Sequence, residues 1–196
     1  MNYTELTTAI SEWAENSYGS GVVDDIIDFA EAKIKRRLRV RQMMKEASIT
    51  ANSASESLPS DFLGVRYVYV DGSPKTALNY VTDEQMYAMW MGSESGTPTA
   101  YNFDADNIHF GPVPDSEVTV KLGYYGFTPL DGTNTTNWLS DEYPDIYLTA
   151  CLVEAANYSR DDDQAARLQM KLETMLLELE SSDSMDIASS MQMRLG

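Results

Sequence analysis

One cysteine, Cys151, and one histidine, His109, occur in the whole chain. The first excludes an internal disulfide, and together they exclude a zinc site of the usual His/Cys type within a single copy. Basic residues are also few: 14 Lys and Arg face 31 Asp and Glu, for a formal net charge of −17. A surface this negative repels phosphate over about 8–10 Å. Non-specific DNA binding rests on phosphate contacts by basic groups, and the overall field opposes it. Long apolar runs are missing too, since no segment approaches the roughly 18 residues of a membrane span. The opening "MNYTELTTAISEW" has neither a basic start nor an apolar run, so no signal peptide is expected. The expectation is a soluble protein made in a cytoplasm. Its 43% hydrophobic content over 196 residues suffices for one domain, or one domain with an inserted lobe.

Motifs that carry chemistry are equally sparse. His109 sits in "NIHF" on an expected strand, where a surface or hydrogen-bonded role is commoner than that of a base. Cys151 lies inside an apolar helical run, the setting of a buried, inert thiol. "DADN" (104–107) has two carboxylates at spacing two but lacks the glycine and distal glutamate of a calcium loop. "GSGVVD" is not a dinucleotide-binding fingerprint and follows no strand. These residues point away from an enzyme and call for no catalytic residue, cofactor or metal.

What the sequence does contain is helical periodicity at both ends and strand-like segments between. Residues 4–15 read as an amphipathic helix with Leu6, Ala9, Ile10 and Trp13 inward and Thr4 as N-cap. A longer helix is expected from Val22 to Met44. "DFLGVRYVYV", "KTALNY", "TAYNF", "NIHF" and "EVTVKLGYY" read as about five strands separated by turn signals. Val118, Val120, Leu122 and Tyr124 share one face of the last. "TDEQMYAMW" reads as one short helix. "IYLTACLVEAA" (146–156) is apolar nearly all round, and Ala165, Leu168, Leu172, Met175 and Leu179 mark an antiparallel partner. The expected fold class is therefore α+β, mainly α: a four-helix bundle of two N-terminal and two C-terminal helices with an inserted small antiparallel β-lobe. The bundle takes residues 1–46 and 138–182. The lobe with its short helix takes 47–137, and a flexible C-terminal tail takes 183–196.

"AKIKRRLRVRQMMK" (32–45) concentrates half the basic charge: Lys33, Lys35, Arg36, Arg37, Arg39, Arg41 and Lys45. At about 100° per residue, Val23, Ile27, Ala30, Ile34 and Leu38 form one apolar stripe, and Phe29, Ala32, Val40 and Met43 form a second on the opposite side. The charges fall between the stripes, whereas a DNA-reading helix gathers them on one exposed face. Three readings stand: a solvated helix end whose charges complement the dipole and nearby carboxylates, a surface bridging to another subunit, or a nucleic-acid-binding module using helix 22–45. The second reading selects Phe29, Lys35, Arg36, Arg37, Arg39, Val40 and Met43 as a subunit interface.

Four stretches occur together in a characteristic order: "FAEAKIKRRLRVRQM", "LPSDFLGVRYVYVDG", "IHFGPVPDSEVTVKLGYYG" and "TNWLSDEYPDIYLTACLVEAANY". Over roughly residues 3 to 180 the chain thereby resembles the head-to-tail adaptor, or connector, proteins of tailed bacteriophages. The resemblance implies a ring, typically of twelve copies, in the virion neck, docked to the portal protein after packaging and assembled in the host cytoplasm. It implies a docking surface for a downstream tail or nozzle protein and a channel through which DNA passes without specific binding during genome ejection. Another neck or tail ring protein is the neighbouring alternative. C-terminal segments of related connectors reach toward the portal, which nominates Met185, Ile187, Met191, Met193 and Leu195 as portal contacts.

Overall fold

A computed structural model describes residues 1–90 and 95–192, with side chains through residue 185. It divides into two compact units, Met1–Met43 with Thr128–Gly196, and Met44–Phe127. The described residues form six α-helices and eight strands, and the strands make two four-stranded sheets. The expectation of a four-helix bundle carrying a small antiparallel lobe is corrected accordingly.

The first unit is helical. Helix α1 (Tyr3–Trp13) starts at Asn2, whose side chain accepts from the Glu5 N–H while the Glu5 carboxylate accepts from the Asn2 N–H. This capping box, and not Thr4, satisfies the first orphan donors. Leu6 and Ile10 are buried, but Trp13, read as core-facing, is 64% exposed. Helix α2 (Ser20–Arg37) buries Val23, Ile26, Ile27, Ala30 and Ile34 along one stripe. It stops seven residues short of the expected end because Leu38 turns to extended backbone. A single 3₁₀ turn, Arg41–Met43, follows. Leu38, Val40 and Met43 are all buried here, so the second apolar stripe of a continuous helix does not exist.

Helix α4 (Trp138–Glu142) is capped by Asn137. Helix α5 (Pro144–Ser159) opens on Pro144, which lacks the N–H that a first turn leaves unpaired. As its all-round apolarity foretells, α5 is buried nearly continuously from Ile146 to Val153. It ends on Arg160 in the left-handed region. Helix α6 (Asp162–Gln192) returns beside it, with Ala165, Leu172, Leu176 and Leu179 buried. The segment expected as a tail from residue 183 is helix as far as Gln192.

The second unit is a β-sandwich. One sheet has the order β1 (Met44–Ala51), β8 (Val118–Gly126), β3 (Phe62–Val70), β4 (Thr76–Ala77), all antiparallel. The other runs β2 (Ser55–Ser57), β7 (Asn107–Gly111), β6 (Ala100–Asp104), β5 (Asn79–Tyr80), with β5 and β6 parallel. Helix α3 (Asp83–Met89) is capped by Thr82. Ile49, Val68, Val70, Val120, Leu122 and Tyr124 from the first sheet meet Tyr101, Ile108 and Phe110 from the second in one core. Residues 44–46, assigned to the helical bundle, begin β1, which pairs with β8 over its full length from Met44↔Tyr125 to Ala51↔Val118.

Gly123 has a particular task in β8. A Cβ there would stand 2.3–2.5 Å from the Tyr67 ring, which lies over the bare backbone. From that position the Tyr67 hydroxyl donates to Glu46 on β1 at 2.9 Å, so one side chain spans three strands. Gly123→Ala is expected to swing the ring outward and lower stability by about 1–2 kcal/mol, as overpacked sites do. Urea unfolding of the variant, compared with Tyr67→Ala, checks this. If the ring is what the glycine accommodates, the double variant loses little more than either single one.

Candidate interaction surfaces

The basic end of α2 is surrounded by carboxylates of its own unit. Lys33 pairs with Glu154 of α5 at 2.5 Å, and Arg37 with Glu180 of α6 at 2.5 Å. Arg41 Nε donates to Asp183 of α6 at 2.6 Å, and Asp183 is 8% exposed. Arg39 donates to the Lys35 and Leu38 carbonyl oxygens at 2.5 and 2.6 Å, closing the helix end. Such ends are favourable sites for cations because unpaired carbonyls leave partial negative charge there. Arg36 is exposed and forms no ion pair among the described residues.

Glu31 is the buried member of this set, at 0% exposure. Its Oε1 accepts from the Leu130 N–H at 2.6 Å and from the Tyr147 hydroxyl, and Lys35 Nζ lies 3.2 Å from Oε2. One carboxylate thus ties α2 to α5 and to the loop before α4. Burial, reinforced by the Glu31 charge, pushes the Tyr147 phenol far above its usual range. The Cys151 thiol is raised by the same causes, burial first, which keeps it protonated and unreactive. Among the described residues no cluster of metal-ligating side chains occurs, and no helix is long and apolar enough to cross a membrane.

Two faces of the helical unit leave apolar side chains in water. On α2 and α5, Phe29 and Tyr158 are each 61% exposed and border a hollow of about 340 Å³ that also contains Asp25 and Glu154. Arg36, seven residues after Phe29, lies on the same side of α2. On α6, Met170, Leu177 and Met185 are exposed, and Thr174, Leu177, Ser181 and Met185 line one groove. From Met170 to Met185 their steps are four, three, four and four residues, which keeps them on one face, a seam of the kind helices use to meet other helices.

The interface residues read from sequence therefore separate. Phe29, Arg36, Arg37 and Arg39 are exposed, Lys35 is half-buried beside Glu31, and Val40 and Met43 are covered by the chain itself. Of the nominated portal contacts, Met185 is exposed on α6. Ile187 and Met191 belong to the helical span of α6, and Met193 and Leu195 lie outside the described residues. Sequence reasoning missed Tyr158 and the α6 seam, although Met170, Leu177 and Met185 have a visible seven- and eight-residue spacing.

Exposed apolar faces of this kind are where one protein meets another. The family model described as SU10 adaptor protein matches residues 1–194. The chain belongs to the SU10 adaptor protein family, a family of structural phage adaptors. It is accordingly a virion protein that contacts other virion proteins. Comparison with curated proteins gives no match.

Proposed function

We propose that the protein acts as a head-to-tail adaptor: twelve copies form a ring in the virion neck, dock to the portal protein and extend its DNA channel. The ring receives a downstream tail or nozzle protein and lets DNA pass without specific binding. Assembly takes place in the host cytoplasm. The observation that carries this reading is the presence, on one helical unit, of two separate exposed apolar faces, Phe29 with Tyr158 and the α6 seam. A closed ring needs two different, complementary patches on every subunit. Phe29 and Arg36 form the first patch, flanked by Arg37 and Arg39, and Met170, Leu177 and Met185 form the second. The intramolecular ion pairs of Lys33, Arg37 and Arg41 favour passage of DNA over its capture.

Co-sedimentation with purified portal rings tests the docking. The full chain is expected to sediment with the portal, and a chain ending after Met185 is expected to lose that ability while remaining folded. Truncation at this point keeps Asp183 and its pair with Arg41. Undiminished capture by the shortened chain would remove the C-terminal segment from the portal contact. Retention on DNA with a steep salt slope would instead favour the nucleic-acid module.

A further inference from the structure

The β-sandwich carries a cleft of about 490 Å³ that the ring contacts above do not use. One wall is α3 and the residue after it, contributing Met86, Tyr87 and Trp90. The sheet beneath is bare at Gly111, where a Cβ would lie 2.5 Å from both the Met86 sulfur and the Trp90 ring. Glycine thus lets these side chains lie directly on β7 and fixes the wall.

The polar side of the cleft is made mostly of acceptors, with His109 of β7 adding a ring that also carries an N–H donor. Asn102 is 5% exposed, and its Nδ2 donates to the Asp83 carboxylate. A carboxylate only accepts, so this bond settles which way the amide faces. Asn102 Oδ1 is left buried with no hydrogen-bond partner. Buried acceptors are rarely left unpaired, and an exception calls for a missing donor. Asp83 and Asp104 complete this side with negative charge. Tyr87, one turn along α3 from Asp83, is 70% exposed and offers an open aromatic face.

The complementary group is flat, cationic and rich in N–H donors. A guanidinium stacks on aromatic faces and donates to several acceptors at once, whereas an ammonium is compact and strongly hydrated. We infer that this cleft receives an arginine side chain presented by a partner protein. The chain's net charge of −17 draws a basic segment toward it. The inference rests on the adaptor reading only in taking that partner to be another virion protein.

The test uses the full chain, isotopically labelled, titrated with N-acetyl-arginine methylamide while the Trp90 indole and Asn102 side-chain amide resonances are followed. Saturable shifts centred on those groups are expected. The uncharged citrulline analogue should bind about five-fold more weakly or worse, since charge-assisted hydrogen bonds are about twice as strong as neutral ones. The lysine analogue should also be weaker. Tyr87→Ala, at an exposed position, should leave the fold intact and weaken arginine binding about three-fold through loss of the aromatic face. Equal binding of arginine and citrulline, shifts located elsewhere, no saturation, or an unaffected Tyr87→Ala variant would each overturn the assignment. Portal co-sedimentation is read separately, so failure of this site and failure of the adaptor reading stay distinguishable.

Discussion

Replacing Glu31 by alanine is expected to destabilise the protein by about 3–5 kcal/mol, because two buried donors lose their charged acceptor at roughly 1–3 kcal/mol each. For a unit of this size that corresponds to a fall in melting temperature of roughly 10–20 °C. The magnitude follows from what the carboxylate holds. The Leu130 N–H and the Tyr147 hydroxyl both point at Oε1, and neither donates to another acceptor among the described residues. Tyr147 is fully buried, so its hydroxyl cannot turn to water. Lys35 is partly exposed and recovers solvent, so its loss is the small part. Glu31→Gln keeps an oxygen acceptor and should cost about 1–2 kcal/mol, in the range of a weakened hydrogen bond. Thermal unfolding followed by circular dichroism ranks the variants. Should the alanine variant fail to fold, Tyr147→Phe gives a gentler reading of the same network, again about 1–2 kcal/mol. Equal stability of Glu31→Ala and wild type would mean that this node is dispensable.

The second large effect is on assembly. Phe29→Asp combined with Arg36→Glu should leave the monomer's melting point nearly unchanged, since exposed substitutions shift stability by about 0.5 kcal/mol or less. Ring formation should be lost. Aromatic and arginine anchors at the centre of an interface are each worth about 2 kcal/mol or more, and two together weaken association by about a thousand-fold. Analytical ultracentrifugation in the presence of portal rings reads the outcome. Wild-type rings from the double variant would move the subunit contact to another face. Leu177→Asp on the α6 seam is the matching change on the opposite patch, and mixing the two variants should not restore a closed ring.

Much of the fold was legible where a single short-range pattern suffices. The alternation in β8 and the all-round apolarity of α5 both reach the structure: Val120, Leu122 and Tyr124 are buried on one face of the strand, and every residue from Ile146 to Val153 is buried in the helix. The boundary of α2 was not legible. Residues 38–44 continue a helical period acceptably, and Leu38, Val40 and Met43 are apolar at plausible steps. What ends the helix is pairing of the chain from Met44 onward with residues 118–126, a contact no local window contains. Strands β2, β4 and β5 are two or three residues long and carry no period at all. The carboxylate partners of the basic cluster were anticipated as a type but not as residues. Glu31 and Lys35 stand one helical turn apart in sequence, yet the partners that make Glu31 a node stand 99 and 116 positions away. The arginine cleft needs Gly111, Asn102 and α3 in one place, and only tertiary structure provides that.

Helix α6 bears on the thermodynamics of docking. Its backbone is helical as far as Gln192, nine residues beyond Asp183, whose pair with Arg41 anchors it. A flexible tail would lose roughly 1–2 kcal/mol of backbone entropy for each residue that a partner immobilises. A segment already wound as a helix avoids most of that loss, and its binding enthalpy is less offset by ordering. The heat capacity change on docking should then reflect buried surface alone, without the further decrease that coupled folding brings.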